Sequence, residues 1–247
     1  QITVIPTGVD MRPYQEADGQ MIRAARGWEA DQVLISIGRL APEKNWKTLI
    51  QAFAHAHATH PNLRLVLVGD GPSLDDLKTF ARDLGVAHRV EFTGTLPFAD
   101  IPRYLKAADL FGFASTSETQ GLVTMEALAA GLPVVAVDAT GTRDVIRNGQ
   151  DGLLTTDDPD ALGEALCRIL DNKTLFQFFK NAAHERAHAF DLVTQSNRLL
   201  EVYQQAIKDK KAGRTVVASK AKKLLDMALE TGPLKQMRGL ITEIARE

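Results

Sequence analysis

Between Val33 and Leu154, short runs of apolar residues alternate with longer segments in which apolar residues recur every three or four positions. Short apolar runs are typical of strands buried on both faces, and the longer period is that of an amphipathic helix. The runs predict strands at Val33–Ile37, Leu63–Val68, Val90–Phe92, Leu110–Ala114, Val134–Val137 and Gly152–Leu154. This alternation predicts an α/β fold, a doubly wound parallel sheet of about six strands with helices on both faces.

After Asp157 the strand-like runs stop and only helical periodicity remains. Helices are predicted at Ala161–Leu170, Leu175–His188 and Val193–Lys208, and after a polar stretch at Val216–Glu230 and Leu234–Ala245. The change of pattern predicts one main domain over residues 1–207 and a helical C-terminal extension of uncertain role over residues 208–247.

Composition places the chain among ordinary globular proteins. Hydrophobic residues make up 45% of the sequence and charged residues 24%, and the formal net charge is -2. Binding to a nucleic-acid backbone normally needs a clear excess of Lys and Arg on one face, so we expect no nucleic-acid partner. The longest apolar runs, Leu65–Val68 and Leu132–Val137, are far shorter than the roughly 20 residues of a membrane-spanning helix.

Cys167 is the single cysteine, so no disulfide can form within the chain. It lies in an amphipathic pattern and is expected to be a small buried hydrophobic residue, which fits a reducing cytoplasm. The sequence starts at Gln1, with no secretory signal and no initiating methionine. We therefore expect the chain to begin inside a longer natural protein.

Residues that follow the strands are the first candidates for chemistry, because ligands of open parallel sheets bind beyond the carboxyl ends of the strands. Gly38 follows the first strand, and Arg39 and Lys44 lie in the same loop. A guanidinium fork and an ammonium beside a glycine suit a diphosphate. The alternative is an ordinary loop whose cations are solvated or paired with Glu43.

A second loop, Gly69 to Pro72, follows the next strand and is expected to be a compact turn. Its two glycines resemble part of a dinucleotide fingerprint. The third glycine is missing, and no acidic residue ends the next strand as a ribose partner. These absences weigh against an NAD site.

The stretch from Ser115 to Gly131 is the most informative. A strand ends before it, a polar turn containing Glu118 and Gly121 follows, and a helix is predicted from about Leu122 to Gly131. Free amides at the helix start form a natural anion site. Glu118 and Glu126 can both face the crevice and accept hydrogen bonds from sugar hydroxyls, although each alone has an ordinary explanation as a surface or helix-dipole charge.

Asp158, Pro159 and Asp160 spell an Asp-x-Asp string of the kind used by metal-dependent transferases. The string comes after the predicted sheet and directly before a helix. We interpret it as a helix cap, and no metal site is predicted.

In their order, these pieces resemble the C-terminal domain of the retaining glycosyltransferases of the GT-B kind (group 1, or family 4), over about Val4 to Tyr203. The matching pieces are Ile5 to Asp10, similar to the family's Pro-Asn-Gly-Val-Asp hinge, Gly38 and Arg39 with Glu43 and Lys44, Gly69 to Pro72, Phe92 with Gly94, and Glu118 and Glu126 separated by seven residues. The resemblance implies one Rossmann-like half of a GT-B fold. Thr7 replaces the usual asparagine of the hinge, and Asp144 stands where many members have glutamate.

The resemblance also implies roles. Arg39 and Lys44 would hold the donor diphosphate and stabilise the leaving group, Glu118 would contact the transferred sugar, and Glu126 would bind the ribose. Backbone groups near Gly94 to Leu96 would face the base. The donor-binding set is Gly38, Arg39, Lys44, Gly69, Gly94, Thr95, Leu96, Glu118, Thr119, Gln120, Gly121, Leu122, Val123 and Glu126, with Arg39, Lys44 and Glu118 as catalytic residues. Family members need no metal, so we expect neither metal nor cofactor.

The implied function is donor binding in a bacterial hexosyltransferase that moves a sugar, with retention, from a nucleotide diphosphosugar, expected to be UDP-linked. Thr119, Gln120 and Gly121 after Glu118 are similar to members that build glycolipids or exopolysaccharides. The family's N-terminal domain, which supplies acceptor contacts, is missing here, so we expect binding without efficient turnover. We expect a cytoplasmic location.

Alternative hypotheses are a non-catalytic nucleotide-binding module, half of a split transferase, a related epimerase or phosphorylase, and an NAD-dependent oxidoreductase. The extension has a cluster of basic residues: Lys208, Lys210, Lys211, Arg214, Lys220, Lys222 and Lys223. These could favour peripheral contact with the inner face of a membrane. A solvated helix packed on its own domain is the alternative.

Overall fold

A computed structural model describes residues 3–213 of the chain. Its parallel strands lie side by side in the order β3-β2-β1-β4-β5-β6. Their bounds are β1 Gln32–Ile37, β2 Leu63–Val68, β3 Val90–Gly94, β4 Leu110–Phe113, β5 Val134–Val137 and β6 Gly152–Thr155. The six predicted strands are confirmed, within two residues at every end.

The order of the strands reverses next to β1. The chain proceeds outward from β1 to β2 and β3, and then returns to place β4 against the other side of β1. Leu34 of β1 is thus in register with Leu65 of β2 and with Leu110 of β4. Loops leaving β1 and β4 therefore diverge to opposite faces of the sheet, which opens a crevice at their carboxyl ends.

Helices cover both faces of the sheet, as predicted. They are α1 Arg12–Glu16, α2 Gln20–Arg26, α3 Trp46–His57, α4 Leu74–Asp83, α5 Ile101–Ala107, α6 Leu122–Ala129, α7 Thr140–Val145, α8 Pro159–Leu170, α9 Lys173–Ala187 and α10 Leu192–Lys211. Short 3-10 turns occupy Pro42–Lys44, Ala87–Arg89, Phe98–Asp100 and His188–Phe190. The pattern of apolar residues did not predict α1 and α2.

Alternate residues of the strands point into two separate apolar cores. Val33 and Ile35 of β1 pack on the side of α5, α6 and α9, together with Phe111 of β4. Leu34 packs on the other side with Phe53 and further residues of α3, α4 and α8. Burying a leucine or phenylalanine side chain in this way stabilises the fold by about 1.5–3 kcal/mol per residue.

The Asp158 carboxylate caps α8, where its Oδ1 accepts a hydrogen bond from the amide of Ala161 at 2.8 Å. The predicted cap is thus confirmed.

Cys167 was expected to be a buried residue. It is only partly buried, and its Sγ lies 3.8 Å from Oγ1 of Thr59.

The compact unit that contains the sheet spans Gln1–Leu199, and a second unit begins at Leu200. The predicted helices Val216–Glu230 and Leu234–Ala245 lie outside the described residues. The division of the chain after residue 207 stays a prediction. No helix within residues 3–213 combines the length and the apolar character needed to cross a membrane.

Candidate functional site

Two loops meet at the crevice where the strand order reverses. One is the β1 loop, residues 38–45, and the other is the β4 loop, residues 114–121. Because β1 and β4 are adjacent and parallel, their carboxyl ends deliver these loops to the same edge of the sheet. The residues assigned to the diphosphate and to the transferred sugar therefore lie on facing loops.

Lys44 and Glu118 form an ion pair between the two loops. The Nζ atom of Lys44 contacts Oε1 of Glu118, with 22% and 15% of the two side chains exposed. The hydroxyl of Ser115, which is fully buried, donates to the same carboxylate oxygen at 3.4 Å. Lys44 is therefore bound across the crevice and is not paired with its sequence neighbour Glu43.

Arg39 forms a second, more exposed pair within the β1 loop. Its Nη2 atom contacts Oε1 of Glu43, and 66% of the arginine side chain is exposed. The indole of Trp46 donates to the carbonyl oxygen of Arg39 at 2.9 Å, which fixes the backbone from which the guanidinium extends. A backbone hydrogen bond and the Arg39 guanidinium lower the pKa of Glu43, so this carboxylate is negative at neutral pH.

Further hydrogen bonds fasten the β4 loop on both sides. The Ser117 hydroxyl donates to the carbonyl of Glu43 at 3.2 Å, and the Thr7 hydroxyl donates to Oε1 of Gln120. On the far side, the amide of Gly141 donates to the carbonyl of Glu118 at 3.1 Å. The backbone position of the acidic turn is thus set by three other segments of the chain.

Helix α6 begins at this turn. Gly121 precedes it with φ +67°, a left-handed conformation, and a Cβ atom at Gly121 would lie 2.8 Å from the carbonyl oxygen of Gly141. A Cβ at Gly141 would in turn lie 2.8 Å from the carbonyl oxygen of Glu118. The first amides of α6, at Leu122 and Val123, have no carbonyl one turn earlier within the helix and can hold an anion.

Glu126 lies in the second turn of α6 and is half-buried. Within residues 3–213, neither a hydrogen bond nor an ion pair reaches its carboxylate. Burial raises the pKa of Glu126 to about 7. Tyr14 of α1 packs in the same apolar core as α6, and burial together with the negative charge of Glu126 raises the pKa of its phenol. Glu126 is thus an acceptor that has no partner among residues 3–213.

Gly69 and Gly71 fasten the loop after β2 to the β1 loop. A Cβ at Gly69, where φ is +136°, would lie 2.0 Å from the carbonyl oxygen of Gly38, and one at Gly71 would lie 2.5 Å from that of Leu40. The amide of Leu40 also donates to the carbonyl of Asp70 at 2.9 Å, which holds the two loops together. These glycines serve close backbone packing next to the site.

Residues Gly94 to Leu96 were expected to face the base. They come at the end of β3, the outermost strand of the sheet, which lies two strands from β1. The carbonyl of Gly94 accepts a hydrogen bond from the amide of Gly69 at 3.0 Å. Thr95 is exposed, and Leu96 packs against the core. Because β3 is parallel to its neighbour β2, these residues lie at the carboxyl ends of the strands, as the two ion pairs do.

Among the predicted residues, the structure joins Gly38, Arg39, Lys44 and Gly69 on one side of the crevice with Glu118 to Val123 on the other. The sequence did not single out Thr7, Ser115 and Ser117 as contacts of the site. These residues lie within or next to the predicted motifs, but the groups to which their hydroxyls donate are 72 to 113 positions away in sequence.

Comparison with known proteins identifies the family to which the chain is similar. The profile of the family described as "Glycosyl transferases group 1" matches residues 20–186 of the chain. Alpha-monoglucosyldiacylglycerol synthase of Streptococcus pneumoniae is 31% identical over 210 residues, which are 83% of this chain and 47% of the relative. D-inositol 3-phosphate glycosyltransferase of Mycobacterium marinum is 33% identical over 224 residues, with 87% and 47% covered.

Among solved structures, HepE of Anabaena in complex with UDP-glucose superposes with a TM-score of 0.75 at 30% identity, covering 82% of this chain and 57% of HepE. The chain spans about half the length of the curated relatives it matches. Its Rossmann-like sheet corresponds to one half of a GT-B fold.

Proposed function

The chain belongs to the glycosyl transferases group 1 family, and on that basis we propose that it binds the nucleotide-diphosphosugar donor of a retaining hexosyltransferase. The observation that carries this proposal is the meeting of Arg39, Lys44 and Glu118 at the reversal of the sheet, directly beside the start of α6. The donor is proposed to be UDP-linked, since the similar structure of HepE holds UDP-glucose.

The charges around the crevice suit a diphosphate. Arg39 offers an exposed guanidinium with donors in a planar fork, and Lys44 offers an ammonium on the same loop. The amides of Leu122 and Val123 add the partial positive charge of a helix N-terminus, roughly half an elementary charge. Apart from their partners Glu43 and Glu118, these groups carry positive charge that can offset a diphosphate, and we propose that binding needs neither metal nor cofactor.

Glu126 is proposed to bind the ribose. A carboxylate that is half-buried and unpartnered among the described residues carries a desolvation cost, which is recovered when hydroxyl groups donate to it. The two neighbouring hydroxyls of a ribose match the two oxygens of the carboxylate. Backbone groups of Gly94 to Leu96 then have the position proposed for recognition of the base.

In the proposed reaction, the bond between the anomeric carbon of the sugar and the diphosphate oxygen breaks, and negative charge develops on that oxygen. The anomeric carbon forms a new bond to an acceptor hydroxyl oxygen, whose proton passes to the departing nucleoside diphosphate. Arg39 and Lys44 would stabilise this charge, which is largest after the bond has begun to break. Glu118, on the facing loop, would hold hydroxyls of the transferred sugar so that the anomeric carbon stays in place.

The acceptor is proposed to be a glycolipid or polysaccharide precursor, in line with the named activity of the pneumococcal relative. The acceptor contacts are proposed to come from an N-terminal GT-B domain outside this chain, so the 247 residues alone would bind the donor with little turnover.

We propose that the protein is bacterial and cytoplasmic, and that its basic C-terminal extension touches the membrane surface. A non-catalytic binding module is the second candidate, because the chain matches only about half of each relative.

Isothermal titration calorimetry with UDP, GDP, ADP, NAD and UDP-glucose tests the proposal, in buffer with and without EDTA. We expect one nucleoside diphosphate to bind, and Arg39→Ala and Glu126→Ala each to weaken that binding by about tenfold or more. Arg82→Ala, an exposed arginine on α4, is the matched control and should have no effect. Binding of NAD alone, or binding that EDTA abolishes, contradicts the proposal.

Adding the N-terminal half of a relative separates the two candidates. A donor-binding half of a transferase should gain transfer activity with a lipid acceptor, whereas a binding module should gain none.

A further inference from the structure

Both cations assigned to the diphosphate already have carboxylate partners in this chain. Arg39 pairs with Glu43 at the exposed rim, and Lys44 pairs with Glu118 in the interior of the crevice. The second pair is the better shielded, since only 22% of Lys44 and 15% of Glu118 are exposed. Any anion that enters must therefore approach an ammonium that a carboxylate holds.

A phosphate and the Glu118 carboxylate compete for this ammonium. Two like charges around one cation repel each other, and the repulsion is strong where water is partly excluded. An exchange in which the diphosphate takes the ammonium and the carboxylate turns to neutral donors removes this repulsion. Hydroxyl groups of a sugar are such donors.

We infer that Lys44 exchanges partners when the donor binds: its ammonium leaves Glu118 for the phosphates, and the Glu118 carboxylate is released to the hydroxyls of the transferred sugar. This inference rests on the proposed function of the site. Glu118 would thus compete with the nucleoside diphosphate and bind the sugar. Before the donor binds, it offsets the charge of the Lys44 ammonium, and a complete donor is favoured over UDP.

Other contacts keep the acidic turn in place while the pair opens. The amide of Gly141 donates to the Glu118 backbone carbonyl at 3.1 Å. Ser117 holds the β4 loop to the carbonyl of Glu43 at 3.2 Å. None of these contacts uses Lys44, so the exchange needs a side-chain movement only.

A double-mutant cycle with UDP as the probe tests the exchange, because UDP contains the phosphates and lacks the sugar. The variants are Glu118→Gln, Lys44→Met and the double substitution, measured by calorimetry in the 247-residue chain, with thermal melts to verify folding. Glu29→Gln, an exposed glutamate before β1 at the opposite end of the sheet, is the control.

We expect Glu118→Gln to tighten UDP binding by at least about threefold, Lys44→Met to weaken it, and Glu118→Gln to have a smaller effect when Met is at position 44. If Glu118 only positions Lys44 for the phosphates, Glu118→Gln weakens binding instead, which overturns the inference. An equal gain in both backgrounds means simple repulsion and also overturns it.

A crystal structure of the UDP complex gives an independent answer. We expect the Nζ atom of Lys44 to lie beyond hydrogen-bond distance of Glu118, and a pair that persists beside bound UDP contradicts the exchange. If the unmodified chain binds no nucleoside diphosphate, the proposed function itself is contradicted. That outcome differs from a failed mutant cycle or a persistent ion pair, which contradict only the exchange.

Discussion

Gly69 approaches the backbone of Gly38 so closely that a Cβ atom at Gly69 would lie 2.0 Å from the Gly38 carbonyl oxygen. The amide of Gly38 donates to the carbonyl of Val68 at 3.0 Å, which continues the pairing of β1 with β2 into the loops. The β1 loop, with Arg39 and Lys44, therefore rests on a neighbour that has no side chain.

Gly69→Ala should destabilise the fold by about 3 kcal/mol or more, because both the carbonyl contact and φ of +136° exclude a Cβ atom. Gly85→Ala is the matched control. Gly85 also has a positive φ, +74°, but nothing lies within 4 Å of its Cβ position, so we expect a loss of about 1 kcal/mol. Urea unfolding measures both, and equal losses would refute the steric argument.

Glu126→Gln should make the protein more stable at alkaline pH. Burial raises the pKa of Glu126 from 4.5 to about 7, so the folded state binds this proton more tightly than the unfolded state. Stability therefore falls as pH rises from 4.5 to about 7, and the cost is complete above that range. For a half-buried group we expect about 1–3 kcal/mol.

Unfolding of the Gln variant and the unmodified chain at pH 5 and pH 8 measures this difference. The variant should gain stability relative to the unmodified chain at pH 8 and little at pH 5. A constant difference between the two proteins would mean that Glu126 is not desolvated.

UDP binding should release protons near pH 7. About half of the Glu126 carboxyls are protonated there, and ribose hydroxyls donate best to the ionised form, so binding lowers the pKa of Glu126. Calorimetry in two buffers of different ionisation enthalpy measures the release. Glu126→Gln removes this contribution and leaves that of the nucleotide phosphates, and an unchanged release in the variant contradicts the ribose assignment.

Glu43→Gln should tighten UDP binding by about two- to threefold at low salt, since it frees the Arg39 guanidinium and removes a negative charge from the rim. The gain should shrink in 0.5 M salt, because exposed charges are screened. Titrations at the two salt concentrations measure it. Glu29→Gln is again the control, and a salt-independent gain would point to a change of loop conformation.

Asp151→Ala should destabilise the fold by about 3–5 kcal/mol. The carboxylate is fully buried, and it accepts hydrogen bonds from the backbone amide and the Nε atom of Arg147. Asp138→Ala, which removes the exposed partner of Arg143, should cost less than about 1 kcal/mol. Thermal unfolding compares the two variants, and similar shifts would argue against the buried position.

The sheet could be predicted from the sequence because its strands are buried on both faces and appear as unbroken apolar runs. Helices α1 and α2 gave no such signal. Tyr14 is the buried residue of the five-residue α1, and α2 has no buried residue at all, so neither carries an apolar stripe. Contacts with the rest of the chain determine these two helices.

The site could be predicted only loop by loop. Glycine, cations and carboxylates after strands predicted which loops lie at the crevice, but the Lys44–Glu118 pair joins residues 74 positions apart. Thr7 and Gln120 are 113 positions apart. Such contacts follow from the order of the strands, and periodicity along the chain contains no information about that order.

The close approach of Gly121, Gly141 and Glu118 has a consequence for protein engineering. A turn transplanted from a homologue fits against the backbone after β5 only if it keeps a glycine at position 121 and leaves Gly141 in place. A library that diversifies residues 115–121 should therefore keep Gly121, because any other residue there places a Cβ atom 2.8 Å from the carbonyl oxygen of Gly141. Residues 115–121 and 138–142 are thus best exchanged together when this part of the chain is redesigned.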